Sequence, residues 1–172
     1  TACNNQDGNT RQQADNEADV TLIQLRDPLD EPEYYCVDVP GFGSSLNLEG
    51  ALTAHTCKPN ADDELFIINQ PNMGHLYMPA YDRCMEAAAQ EVGAELKLTD
   101  CSDSPLQQFT FSDDGTIQLQ NTAPETLCLS VADEDGEPTG GPSHVRRDLL
   151  LQTCGTVDAA LSQWEMPGSE IP

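Results

Sequence analysis

Residues 74–111 read GHLYMPAYDRCMEAAAQEVGAELKLTDCSDSPLQQFTF. An apolar run, His75-Leu76-Tyr77-Met78, leads through a turn to a cysteine-bearing run, Arg83-Cys84-Met85-Glu86-Ala87. A second cysteine closes Leu98-Thr99-Asp100-Cys101, and the stretch ends on an aromatic run, Gln107-Gln108-Phe109-Thr110-Phe111. Apolar runs this short, set between Gly, Pro, Asn and Asp, read as strands joined by tight turns. Helix propensity is real only around Cys84 to Gln90, where periodicity over so short a window does not decide. Working outward, the same order of parts recurs on both sides. On the N-terminal side it runs from Thr21-Leu22-Ile23-Gln24-Leu25 through Tyr35-Cys36-Val37-Asp38-Val39 and Ala54-His55-Thr56-Cys57 to Glu64-Leu65-Phe66-Ile67-Ile68. On the C-terminal side it runs from Thr116-Ile117-Gln118-Leu119 through Leu127-Cys128-Leu129-Ser130-Val131 and Gln152-Thr153-Cys154 to Ser162-Gln163-Trp164-Glu165.

The spacings agree. Within each unit the two cysteines are 21, 17 and 26 residues apart, and the second cysteine precedes the aromatic residue by 9, 8 and 10. The longest gap is explained by one Gly/Pro-rich, charged insertion, residues 132–148. Three units of about four strands each predict an all-β chain, a β-trefoil; a three-bladed propeller falls below the usual four to eight blades. The repeats are expected at about 20–73, 74–114 and 115–167, between a polar N-terminal arm or tether at 1–19 and a C-terminal tail at 168–172. Equivalent positions pair the cysteines one bridge per repeat: Cys36–Cys57, Cys84–Cys101 and Cys128–Cys154. Such a framework belongs to an oxidising compartment, so the chain is expected to be extracellular or on a cell surface. Cys3 is left over. It is read as an attachment point, through a disulfide to another chain or a lipid, because Thr1-Ala2-Cys3 fits the last three positions of a bacterial lipobox.

The 172 residues include 30 acidic and 7 basic side chains, a formal net charge of −23. Seven scattered cations cannot make the basic footprint that phosphate backbones require, so nucleic acid is excluded as a partner. No run approaches the roughly 18 apolar residues of a transmembrane helix. No CxxC pair or Cys/His cluster has structural-zinc spacing. The chain has no HExxH, no GxSxG and no phosphate-binding glycine loop, and it is expected not to be an enzyme.

Over about Val20 to Pro167 the chain resembles the ricin B-chain-like (R-type) lectins and carbohydrate-binding modules. Those domains carry a disulfide in each repeat and end each repeat on Gln-x-Trp. The matching positions here are Glu64-Leu65-Phe66, Gln107-Gln108-Phe109 and Ser162-Gln163-Trp164; only the middle one keeps the glutamine and only the last the tryptophan. The resemblance implies a glycan- or polysaccharide-binding module and a sugar pocket in the first repeat. Asp38, two residues after Cys36, would accept charge-assisted bonds from sugar hydroxyls. His55, two before Cys57, would stand where a ring covers the C–H face of a pyranose. Thr53 points the same way as His55, and Asp63 and Glu64 occupy the places where an Asn-Gln pair is common.

The second repeat offers Glu86, Lys97, Thr99 and Leu106 at the corresponding positions and lacks the platform. The third offers Ser130, Leu150, Gln152 and Leu161 and lacks the carboxylate too. Other readings stand beside these. Asp38 could anchor a turn, and as a solvent-facing carboxylate would contribute little to stability. Asp63 and Glu64 lie in an acidic loop of the kind that is usually just solvated. Several acids around one pocket are also a donor set for Ca²⁺. Phe66, Phe109 and Trp164, at equivalent positions, are expected in the core. The competing functional classes are a structural or adhesive extracellular subunit and a protein-binding trefoil such as a protease inhibitor.

Overall fold

A computed structural model describes residues 20–139 and 144–167; the arm, Cys3, part of the insertion and the tail lie outside the described residues. The first repeat holds β1 (Val20–Thr21), β2 (Gln24–Leu25), β3 (Tyr35–Asp38), β4 (Thr53–Thr56) and β5 (Phe66–Ile68). The second holds β6 (Leu76–Met78), β7 (Arg83–Ala87), β8 (Leu96–Thr99) and β9 (Phe109–Phe111). The third holds β10 (Ile117–Leu119), β11 (Leu127–Val131), β12 (Glu137–Pro138), β13 (Val145–Thr153), a one-turn helix α1 (Ala159–Ser162) and β14 (Trp164–Glu165). The expected twelve strands are therefore present, with the first split in two and β12 added by the insertion.

The first and last strands of the repeats form the barrel. Ladders join β1 to β5, β5 to β6, β9 to β10 and β14 to β2. Phe109 N–H to Gly74 O at 2.9 Å and Trp164 N–H to Gly115 O at 2.7 Å join the remaining neighbours. The middle strands pair as three hairpins, β3–β4, β7–β8 and β11–β13, that cap one end. The hairpins touch one another through Leu52 N–H to Leu96 O at 2.7 Å, the Glu95–Leu150 bridge, and a ladder between β13 and β4.

Alternation along each strand turns one set of side chains inward. Phe66, Phe109 and Trp164 are buried together with Leu25, Met78, Leu119, Val37, Met85 and Leu129. The Trp164 indole N–H has its acceptor in the Leu129 carbonyl, 3.0 Å away, so the one tryptophan sits in the core without an orphaned donor. The three expected disulfides are present, with Cα–Cα distances of 5.0, 5.0 and 5.1 Å. Closing loops of this length is worth roughly 3 kcal/mol each in the chain-entropy account.

One open point is decided and one local expectation is corrected. The stretch from Cys84 is the strand that the repeat requires: Cys84, Met85 and Ala87 are buried within β7, and cross-strand pairing with β8 overrides the alanine-rich propensity. The insertion is not only a loop. Its last four residues, from Val145, are the start of a nine-residue strand, and β12 pairs with it, Glu137 opposite Arg146.

Candidate functional site

The first-repeat hairpin sets the geometry. Asp38 ends β3 opposite Thr53 of β4, and His55 lies two residues further on, so Thr53 and His55 share a face. The chain then turns through Pro40-Gly41-Phe42. Gly41 has φ +86°, and a Cβ there would collide with the Ser45 carbonyl, so the turn needs glycine. That turn leaves Phe42 80% exposed. The opposite wall comes from the third repeat, because Arg146 of β13 is registered against His55. The result is a cleft of about 570 Å³. Asp38, Thr53, His55 and Lys58 line it from the first hairpin, Phe42 from the turn, and Thr139, His144 and Arg146 from the insertion.

His55 is held from both sides. Its Nδ1 is 2.9 Å from the Thr56 carbonyl and its Nε2 3.1 Å from Thr139 Oγ1. With the proton on Nδ1 the ring donates to Thr56 and accepts from Thr139; with the proton on Nε2 it donates to Thr139 and presents Nδ1 as a bare acceptor. The His144 ring meets it edge-on at 5.2 Å.

Behind His55 lies a buried ionic cluster. The Lys58 ammonium is 2.8 Å from Asp63, 3.4 Å from Asp38 and 3.9 Å from Glu64. Glu64 Oε1 accepts the Lys58 backbone N–H at 2.6 Å. Gln107, at the equivalent place in the second repeat, does the same with Ser102 N–H at 2.9 Å. Gln107 then uses its amide N–H₂ to reach the Asp100 carbonyl at 3.0 Å and Glu86 at 3.3 Å. Glu64 has no such donor. Its Oε2 and the Oδ1 of Asp38 are buried with no hydrogen-bond partner among the described residues. Burial first, and then the facing Glu64 carboxylate, push Asp38 far above the ordinary carboxylate range. Burial likewise pushes Glu64 up, with the Lys58 N–H and ammonium offsetting it only in part. Burial alone would lower Lys58, but its bond to Asp63 and the Asp38 and Glu64 charges outweigh that and hold it above its usual value.

These placements revise the expectations residue by residue. Asp38, Thr53 and His55 come together on the cleft. Asp38 is not solvent-facing: it is 2% exposed, so removing it would disturb the fold as well as the site. Asp63 and Glu64 are not a solvated acidic loop; both are buried, Glu64 completely, and both face Lys58 from behind the cleft.

Sequence reasoning missed Phe42, Lys58, Thr139, His144 and Arg146. The first two left a trace, an aromatic residue between two glycines and one of only seven cations beside Cys57. The last three depend on the register of β13 against β4, which no local pattern carries. In the second repeat, Glu86 and Lys97 are a cross-strand pair 3.8 Å apart, with Thr99 on the same strand as Lys97 and Leu106 in the 3₁₀ turn before Phe109. In the third, Ser130 is buried on the Val131 carbonyl opposite Leu150, Gln152 stands opposite Cys128, and Leu161 is buried. Neither combines a cleft-facing carboxylate with a ring.

The family model for the ricin-type β-trefoil lectin domain matches residues 72–169. That stretch takes in the second and third repeats and begins after the ionic cluster. No curated protein matches the chain by sequence. Among solved structures, the designed threefold-symmetric protein ThreeFoil aligns with a TM-score of 0.64 at 12% identity, covering 86% of this chain and 96% of that one. The β-trefoil lectin of the Vibrio vulnificus hemolysin/cytolysin, solved with N-acetyl-D-lactosamine bound, aligns at 0.58 and 15% identity, covering 86% and 92%. The agglutinin from Abrus precatorius aligns at 0.59 and 17%, covering 86% of this chain and 46% of the agglutinin chain. At these identities the likeness is one of fold.

Proposed function

Because the chain belongs to the ricin-type β-trefoil lectin domain family, we propose that it is a glycan-binding module whose sugar site is the first-repeat cleft. The observation that carries this reading is the meeting there of a carboxylate, Asp38, with the exposed ring of Phe42 and the imidazole of His55. A carboxylate accepts bonds from neighbouring hydroxyls, and a flat ring covers the C–H face that a pyranose presents. Thr53 and the Arg146 guanidinium supply further polar contacts from the two walls. The role is binding rather than catalysis. Three intra-repeat disulfides fit an extracellular setting, and among the described residues no helix is long and apolar enough to cross a membrane. Attachment through Cys3, to a lipid or a second chain, remains a separate proposal that the described residues do not reach.

A glycan array followed by calorimetric titration of the best hit tests the reading. One shallow site predicts an affinity of about 1 mM for a monosaccharide. Phe42→Ala, at an exposed position, should weaken binding about tenfold while stability stays within about 0.5 kcal/mol. Unaltered binding in that variant, or no hit on the array, overturns the assignment.

A further inference from the structure

We propose that Asp38, His55 and Glu64 form a binding site for a divalent transition-metal cation of the Zn²⁺ class at the floor of the first-repeat cleft. This goes beyond the glycan reading and does not rest on it. One ligand atom from each residue, two carboxylate oxygens and an imidazole nitrogen, lies within 4.8 Å of the other two. Zinc bonds of roughly 2.0–2.2 Å would draw such atoms to about 3.4 Å of one another in a tetrahedral site. The three residues sit on the end of β3, on β4 and in the 3₁₀ turn before β5. The hairpin ladder and the Cys36–Cys57 bridge hold the first two elements together.

The second observation is the pair of orphaned oxygens. Among the described residues Asp38 Oδ1 and Glu64 Oε2 have no hydrogen-bond partner, the nearest approach to Glu64 Oε2 being His55 Nδ1 at 3.6 Å, and their residues are 2% and 0% exposed. Buried carboxylate oxygens without donors are costly, and native folds rarely leave two together. Lys58 does not complete them: its ammonium is committed to Asp63 at 2.8 Å and stands 3.4 Å from Asp38 and 3.9 Å from Glu64. Three carboxylates, Asp38, Asp63 and Glu64, face the single Lys58 ammonium, and a dication displacing the proton of the Asp38–Glu64 pair would compensate that excess of acid.

The donor set also selects the ion. Ca²⁺ takes six to eight oxygens, whereas a mixed set of imidazole and carboxylates suits zinc and its neighbours. His55 can serve: its Nε2 is 3.1 Å from Thr139 Oγ1, and with the proton donated there, Nδ1, which lies 2.9 Å from the Thr56 carbonyl and 3.6 Å from Glu64 Oε2, ligates once the ring turns off that carbonyl. A bond from the far ring nitrogen to an oxygen is the usual support of a metal-binding histidine. Asp38 and His55 also line the cleft, so a fourth ligand, water or a hydroxyl, has access to the ion.

The test is a titration of the chelator-treated, dialysed protein at neutral pH with Zn²⁺, against a chromophoric competitor and without glycan. The expected result is one equivalent bound, more tightly than Ca²⁺ by at least about tenfold. Glu64→Gln, which places at position 64 the residue that folds at the equivalent Gln107, and His55→Gln should each weaken it by at least about tenfold. Asp113→Asn, at an exposed acid of the second repeat, should not. Zn²⁺ should raise the melting temperature of the parent protein and leave that of Glu64→Gln unmoved. Absence of saturable binding overturns the proposal. So does one-equivalent binding that survives both ligand substitutions, which would place the ion on the acidic surface or the N-terminal arm.

Discussion

Replacing Glu64 with glutamine exchanges one oxygen for an N–H₂ and removes one buried charge. The amide keeps the acceptor for the Lys58 backbone N–H, now met at 2.6 Å, and turns its new donor toward Asp38, as Gln107 turns its own toward Glu86. The long 3.9 Å contact between Lys58 and Glu64 is lost, a small term beside the bond gained. Satisfying a buried acceptor that now lacks a donor is worth about 1–3 kcal/mol. The gain depends on pH. Burial raises the folded-state pKa of Glu64 to about 8, from an ordinary value of 4.5. A carboxyl raised in the folded state contributes fully below its unfolded pKa and loses that contribution as pH rises toward the folded one. While the folded Asp38–Glu64 pair holds one proton that the unfolded chain has released, stability falls by about 1.4 kcal/mol per pH unit. In chelator-containing buffer the parent and Glu64→Gln should therefore be nearly matched near the unfolded pKa and diverge above it. By neutral pH the variant should lead by about 2–3 kcal/mol, or roughly 6 °C in melting temperature for a domain of this size. Urea unfolding across a pH series measures both curves. Parallel curves, or a variant less stable than the parent at neutral pH, would refute the account of the acid pair.

Two further outcomes are expected. Arg147 is buried beside the Tyr35 ring at 5.2 Å and binds Asp30 and the Ala132 carbonyl, each at 2.8 Å; Arg147→Ala should destabilise by about 2–4 kcal/mol in denaturant melts, and a change below about 0.5 kcal/mol would show that the cluster is dispensable. Removing the second-repeat bridge with Cys84→Ala and Cys101→Ala should cost about 3 kcal/mol, and peptide mapping without reduction should recover the three intra-repeat pairs and no bridge between repeats.

The cysteine and aromatic spacings made the fold legible because both are consequences of one threefold geometry repeated in the chain. Asp38 and His55 were legible through the family resemblance, whose pocket positions lie at fixed offsets from Cys36 and Cys57, and Thr53 through the alternation that puts it on the same strand face as His55. Burial was not legible. Asp63-Glu64 has the composition of a solvated loop, yet Lys58, five residues before Asp63, draws both acids inward. The far wall was hidden more deeply. Thr139, His144 and Arg146 belong to an insertion with no counterpart in the other repeats, and the pairing of Arg146 with His55 is set by packing at the hairpin cap. The alanines after Cys84 left local propensity undecided, since propensity describes an isolated segment and β7 is fixed by its neighbours.

The ladder between β4 and β13 also bears on how the protein is made. His55 and Arg146 face each other across it, so about ninety residues must follow the first wall of the cleft out of the ribosome before the second exists. At roughly 5–20 residues per second, the interval is about 5 to 20 seconds. During that time the outer edge of β4 has no strand beside it, and His55 lacks the Thr139 and His144 side chains that later hold it. An unpaired edge is a template for the wrong partner. The nascent first repeat is therefore the segment on which a chaperone, or an early Cys36–Cys57 bridge, has most to act.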